Sequence, residues 1–259
     1  MKTELLEFNN LNRNILRGIF VLKNENNKKI LLMVGGFEGS ATTQKKFKVI
    51  ADKIDFSSLR IDYSGLGISD GDFSKLTVNS LSLDIKTAVE KLNKKGFNRI
   101  YVACHSLSAC AVSLMSEHFD KIVLMAPALN QKGLLRYWFT KSLNEKQNLT
   151  KELNWNNYKQ YLNEEAFLKD CQRDDKMTSM NNILSDYFME NMDKDYSSLL
   201  EKYENKVLHI HGLNDNVVPL ESITVKFNNN ILIEKGDHDL ERPDMIEQWI
   251  IPIIKFFKE

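Results

Sequence analysis

Ser106, Asp215 and His238 are the side chains of this chain best spaced to do chemistry together. Each follows a short apolar run: Arg99–Ala103 precedes Ser106, Lys206–Ile210 precedes Asp215, and Asn230–Glu234 precedes His238. Such a set performs nucleophilic acyl transfer. A serine hydroxyl is a weak nucleophile at neutral pH, so a base must take its proton. His238 would be that base, and afterwards the acid that protonates the leaving group. Asp215 would hold the imidazole tautomer and stabilise the imidazolium. Each residue also has a plainer reading. Ser106 opens a helical stretch and could be an N-cap. Asp215 could be a turn residue, and His238, between Asp237 and Asp239, a surface histidine. Asp237 and Asp239 are alternative acids, but neighbours of a histidine in sequence seldom aim at its ring.

The elements that must position these residues are legible as a pattern. Six apolar runs read as strands: Lys29–Val34, Ser58–Ile61, Arg99–Ala103, Lys121–Met125, Lys206–Ile210 and Asn230–Glu234. Near-continuous Val, Ile and Leu suit strands covered on both faces, as in a parallel sheet. Helix-like segments lie between them: Thr42–Ile54, Leu81–Leu92, Leu107–Phe119 and Met245–Phe257, the last with Pro252 as an expected break. Ile15–Asn24 is expected as an extra strand pairing antiparallel. Strand–helix alternation implies an α/β fold with a mostly parallel, doubly wound sheet. Residues 129–203 break the alternation, with scattered aromatics and no good strand. A stretch that long exceeds an ordinary connection. The expected organisation is therefore a core of residues 1–128 and 204–259, with a helical cap of residues 129–203. The cap needs an apolar underside, for which Trp138, Phe139, Trp155 and Met180 are the expected pocket residues.

Composition bounds the rest. The chain has 259 residues, 42% of them hydrophobic, enough for one large core. Lys plus Arg equals Asp plus Glu, so the zero net charge gives no reason to expect nucleic acid or an anionic membrane surface. The three cysteines, Cys104, Cys110 and Cys171, form no metal-type pair, which favours a reducing, cytoplasmic setting. No signal peptide and no membrane span are expected. His209 and His211 alternate on one run without a further ligand at useful spacing, so no metal site is expected. His105 reads as a structural residue, a buried packing or hydrogen-bonding group. The sequence carries no signal of oligomeric state.

Two longer motifs join the three residues. Asp62–Gly71 reads DYSGLGISDG, and His211–Pro219 reads HGLNDNVVP. With the order Ser106, Asp215, His238, these motifs resemble the α/β-hydrolase superfamily. The likeness is greatest to esterase and acyl-hydrolase members such as bacterial cinnamoyl or feruloyl esterases and monoacylglycerol-lipase-like enzymes. The resemblance covers nearly the whole chain outside residues 129–203. It implies a strained strand-to-helix turn at Ser106, where Cys104 and Ser108 replace the glycines of G-x-S-x-G. Its oxyanion hole would use the N–H of Leu107 and, from the Gly35–Gly39 loop, that of Phe37. Gly35-Gly36 stands where the family usually has His-Gly. Gly36 and Glu38 would border the substrate, Glu38 either facing solvent or touching a polar group of it.

The leading expectation is a serine hydrolase of carboxylic esters with a small or medium lipophilic or aromatic acyl group, acting without a cofactor. The runner-up is an acyl-thioesterase, since Ser106–Ala109 (SLSA) resembles the nucleophile turn of the myristoyl-acyl-carrier-protein thioesterase of luminous bacteria. Cleavage of an amide at a chain end is a third possibility. A non-catalytic binder of a small hydrophobic ligand is a fourth, and the complete Ser–Asp–His set argues against it.

Overall fold

The computed structural model describes residues 1–146, 152–173 and 185–259. Its strands are β1 (Lys2–Asn9), β2 (Ile15–Leu22), β3 (Lys29–Val34), β4 (Ser57–Asp62), β5 (Arg99–His105), β6 (Lys121–Met125), β7 (Val207–Gly212) and β8 (Asn229–Ile233). They form one sheet in the order β1-β2-β4-β3-β5-β6-β7-β8. β2 pairs antiparallel with β1 and β4. All other neighbours are parallel, with Val34 opposite Cys104 and His105 opposite Met125. The carboxyl ends of β3, β5, β7 and β8 therefore lie along one edge, where such sheets bind ligands.

Helices cover both faces, as the apolar runs require. α1 (Lys45–Lys53) and α7 (Pro243–Lys258) pack on one face, against Leu31, Met33, Tyr101, Ala103 and Ile210. α2 (Val78–Lys94) and α3 (Ser108–Ser113) pack on the other, against the alternate positions Leu32, Val34, Val102 and Cys104. The period of two in a strand divides the side chains this way. Between β6 and β7 lie α4 (Gln131–Lys146), α5 (Glu164–Cys171) and α6 (Ser185–Asn191), with no strand among the described residues. No described helix is long and apolar enough to cross a membrane.

Three local expectations need correction. β1 has no counterpart in the sequence reading, because an edge strand with one solvated face shows only Leu6 and Phe8 as buried apolar residues. The helix after Ser106 ends at Ser113 and is followed by a 3-10 turn at Ser116–His118, not by helix to Phe119. Pro252 does not break α7, which runs through it to Lys258. The proline frees the carbonyl of Gln248, but Gln248 is exposed, so water can satisfy it. Trp249, Ile253 and Phe257, buried on both sides of Pro252, hold the helix together.

Candidate active site

Ser106 sits at the turn from β5 into α3 with φ of +55°, a left-handed backbone unusual for a residue with a Cβ. The turn is over-determined by hydrogen bonds. Ser106 N–H donates to Met125 O at 3.0 Å, and Ser106 O accepts from Ala128 N–H at 3.1 Å. Ser108, where the family motif has glycine, is fully buried and joins the turn to β3. Its Oγ accepts from His105 N–H at 3.1 Å and lies 3.2 Å from Val34 O, an acceptor on β3. Cys104 is buried in the core, and burial raises its thiol pKa, so it is an inert neighbour of Ser106.

The structure brings Ser106, His238 and Asp215 together. His238 Nε2 lies 3.0 Å from Ser106 Oγ, and His238 Nδ1 lies 2.7 Å from Asp215 Oδ2. Asp215 Oδ1 accepts the N–H groups of Val217 and Val218 at 2.9 and 2.8 Å. Hydrogen bonds to a charged group contribute about 1.5–3 kcal/mol each, so carboxylate and loop fix one another. His211, the first residue of HGLNDNVVP, donates from Nε2 to Val218 O at 2.8 Å and lies 3.5 Å from Asp215 Oδ2. The two loops can approach because Gly212 and Gly236 are in contact. A Cβ on Gly212 would stand 2.4 Å from the Gly236 carbonyl.

Asp237 is engaged elsewhere: it accepts from Leu240 N–H at 3.0 Å and pairs with Arg242 at 3.2 Å. Asp239 faces the cavity beside His238. The His238 backbone is anchored from below. His105 donates from Nε2 to His238 O at 2.8 Å, and Lys46 Nζ donates to Asp239 O at 2.9 Å. Burial holds the pKa of His105 well below the ordinary histidine value, so the ring is neutral. His105 is therefore a buried hydrogen-bonding group that anchors the backbone of the histidine.

Opposite Ser106 runs the loop Gly35–Gly39. Tyr63 OH donates to Gly36 O at 2.9 Å, and Gly39 N–H donates to the same carbonyl at 3.1 Å. A Cβ on Gly36 would stand 3.0 Å from Ser106 Cβ and 2.9 Å from His105 Nδ1, which is why the loop needs glycine here. The first acidic motif ties the loop down: Asp62 Oδ2 accepts from Ser40 Oγ at 2.9 Å and Thr42 Oγ1 at 2.7 Å. Among the described residues, the N–H groups of Phe37 and Leu107 meet no protein acceptor.

A cavity of about 450 Å³ opens over Ser106. Phe37, Glu38, Leu107 and Trp138 line it. Gly36 does not; it is the close contact beneath the turn. Phe139 and Trp155 do not line it either. Phe139 packs on Phe167 at 5.6 Å and borders a neighbouring cavity. Trp155 packs edge-on against Tyr137 at 5.5 Å and tilted against Tyr158 at 5.1 Å. Met180 lies outside the described residues. Lining residues the sequence reading missed are Gln131, Leu135, Tyr187, Phe188 and Val217. Gln131, Leu135 and Trp138 follow the i, i+4, i+7 spacing of one helix face, a signal that separates Trp138 from Phe139.

A model of the serine aminopeptidase S33 family matches residues 25–235. The chain belongs to this family. Solved structures share the fold at low identity. Est1E from Butyrivibrio proteoclasticus with ferulic acid bound is 18% identical, with a TM-score of 0.72 and 98% of each chain covered. The α/β hydrolase GrgF from Penicillium is 16% identical, with a TM-score of 0.70, covering 100% of this chain and 98% of that one. An esterase from Exiguobacterium antarcticum is 14% identical, with a TM-score of 0.64, covering 98% of this chain and 99% of that one. No curated protein matches the chain by sequence.

Proposed function

We propose that this S33-family protein is a serine esterase that cleaves a carboxylic ester of a small or medium acyl group through an acyl-enzyme. The observation that carries the reading is the continuous chain Ser106 Oγ–His238–Asp215, with bond lengths of 3.0 and 2.7 Å, opening into an aromatic-lined cavity. Ser106 Oγ attacks the ester carbon as His238 Nε2 takes its proton. Asp215 Oδ2 accepts the Nδ1–H of His238 and stabilises the imidazolium. The N–H groups of Leu107 and Phe37 receive the negative charge that develops on the carbonyl oxygen. His238 then protonates the departing alcohol, and water, activated by the same histidine, releases the acid. Residues 129–203 act as a cap whose α4 and α6 side chains bound the acyl group. Bound ferulic acid in the Est1E structure supports an acid of this general size.

A chain-length series of chromogenic esters and matching acyl thioesters, run on wild type and Ser106→Ala, tests the reading. Turnover of esters that vanishes in Ser106→Ala, with the fold unchanged by circular dichroism, is expected. Ser106-independent turnover removes the nucleophile assignment, and a preference for thioesters at equal acyl length overturns the ester assignment.

A further inference from the structure

On the cap side of the cavity, the described polar side chains of α4 and α6 are engaged with protein partners. Gln131 is fully buried. Its Nε2 donates to Ala128 O at 2.6 Å, and its Oε1 accepts from Tyr187 OH at 2.6 Å. Tyr187 is itself only 4% exposed, and burial raises its phenol pKa, so it remains a donor. Trp138 donates its indole N–H to Val217 O at 2.6 Å. Leu135 and Phe188 complete this side. What α4 and α6 turn toward the cavity is therefore ring face and hydrocarbon. The polar lining residues Glu38, Gln44 and Asp239 all belong to core loops near His238 or the Phe37 loop.

Resting on the esterase reading, we propose that the acyl group taken by this site is apolar along its whole length, an unsubstituted alkyl or phenylalkyl chain. Ring-hydroxylated acids of the cinnamic kind are poor substrates, although a protein of the same fold holds ferulic acid. A phenol hydroxyl placed under α4 and α6 leaves water and finds the Gln131, Tyr187 and Trp138 donors already given to protein acceptors, so its oxygen loses the hydrogen bonds it accepted from water. Discrimination against an added hydroxyl in an apolar pocket reaches about 10- to 100-fold.

The test uses two isosteric methyl esters, of 3-(4-methylphenyl)propanoic acid and of 3-(4-hydroxyphenyl)propanoic acid, with wild type, Ser106→Ala and Tyr187→Phe. Wild type is expected to favour the methyl-substituted ester by about 10-fold or more in kcat/KM. Tyr187→Phe leaves Gln131 Oε1 without its donor, so the phenol gains an acceptor and the preference narrows by about 10-fold. Equal or better turnover of the hydroxylated ester by wild type overturns the inference and leaves the esterase reading standing. A preference unchanged in a folded Tyr187→Phe overturns the Gln131–Tyr187 explanation. Absence of Ser106-dependent turnover of both esters overturns the esterase reading itself, and this inference falls with it.

Discussion

Acid should unfold this protein through histidines that the proposed chemistry does not use, and His209 allows the effect to be sized. His209 lies on β7, 2% exposed, with Nδ1 2.9 Å from Asn230 Oδ1 and Nε2 3.1 Å from His211 Nδ1. Burial, with a smaller contribution from neighbouring His211, lowers its pKa to about 3. In the unfolded chain the ring titrates at about 6.5. The sign follows directly. Between about 6.5 and 3 the unfolded state binds a proton that the folded state refuses, so stability falls as pH falls through this window and is intact above it. The loss is about 1.4 kcal/mol per pH unit, hence about 2 kcal/mol at pH 5 from this ring. For a domain with a typical stability of about 5–15 kcal/mol, that is a large share. His105 and His211 are shifted down for the same reason and add to the slope. The assay is urea unfolding followed by circular dichroism at pH 7.5 and 5.0, on wild type and His209→Gln. Comparing the pH-dependent loss in the two proteins cancels the cost of the substitution itself. Wild type should lose about 2 kcal/mol more than the variant between the two pH values. Equal losses would refute the claim that His209 is folded as a neutral ring.

Three other substitutions probe the site. Gly36→Ala places a methyl 2.9 Å from His105 Nδ1 and 3.0 Å from Ser106 Cβ, so kcat for the preferred ester should drop by about 100-fold while the far-ultraviolet spectrum is retained; steady-state kinetics beside circular dichroism decide it. Ser108→Gly restores the family glycine yet removes a hydroxyl bonded to His105 N–H and close to Val34 O, so it should lower stability by about 1–2 kcal/mol without raising kcat; urea midpoints and initial rates check both halves. Trp138→Phe keeps a ring in the cavity but frees Val217 O, whose own N–H holds Asp215, so kcat should fall several-fold with KM for an apolar ester within about two-fold; a rise in KM with kcat unchanged would make Trp138 a wall and nothing more.

The parts of this protein that sequence made visible are those where one physical demand acts alone. β3 and β5–β7 are covered on both faces, so they read as unbroken apolar runs, and the residues at their carboxyl ends inherit a known position. Ser106, Asp215 and His238 could be singled out as a set from their strand ends together with their chain order and the motifs around them, and the structure places them within hydrogen-bond distance of one another. β1 answers two demands, water on one face and the core on the other, and its run KTELLEFN shows no strong pattern. α4 is the harder case. It buries Leu134 toward Ala128 and Val218, Leu135 and Trp138 toward the cavity, and Phe139 toward Phe167. With apolar residues around most of its circumference, no apolar stripe marks the face toward the cavity. The face is identified instead by Gln131, a polar residue one turn before Leu135 whose amide is closed off by Tyr187 56 positions away. Ser108 poses the same problem at the turn itself, since its partner Val34 is 74 positions distant. A side chain whose role is to satisfy a remote backbone or side-chain group leaves no local pattern. In this chain such remote partners border the cavity, whereas Ser106, Asp215 and His238 each stand close to the end of a strand.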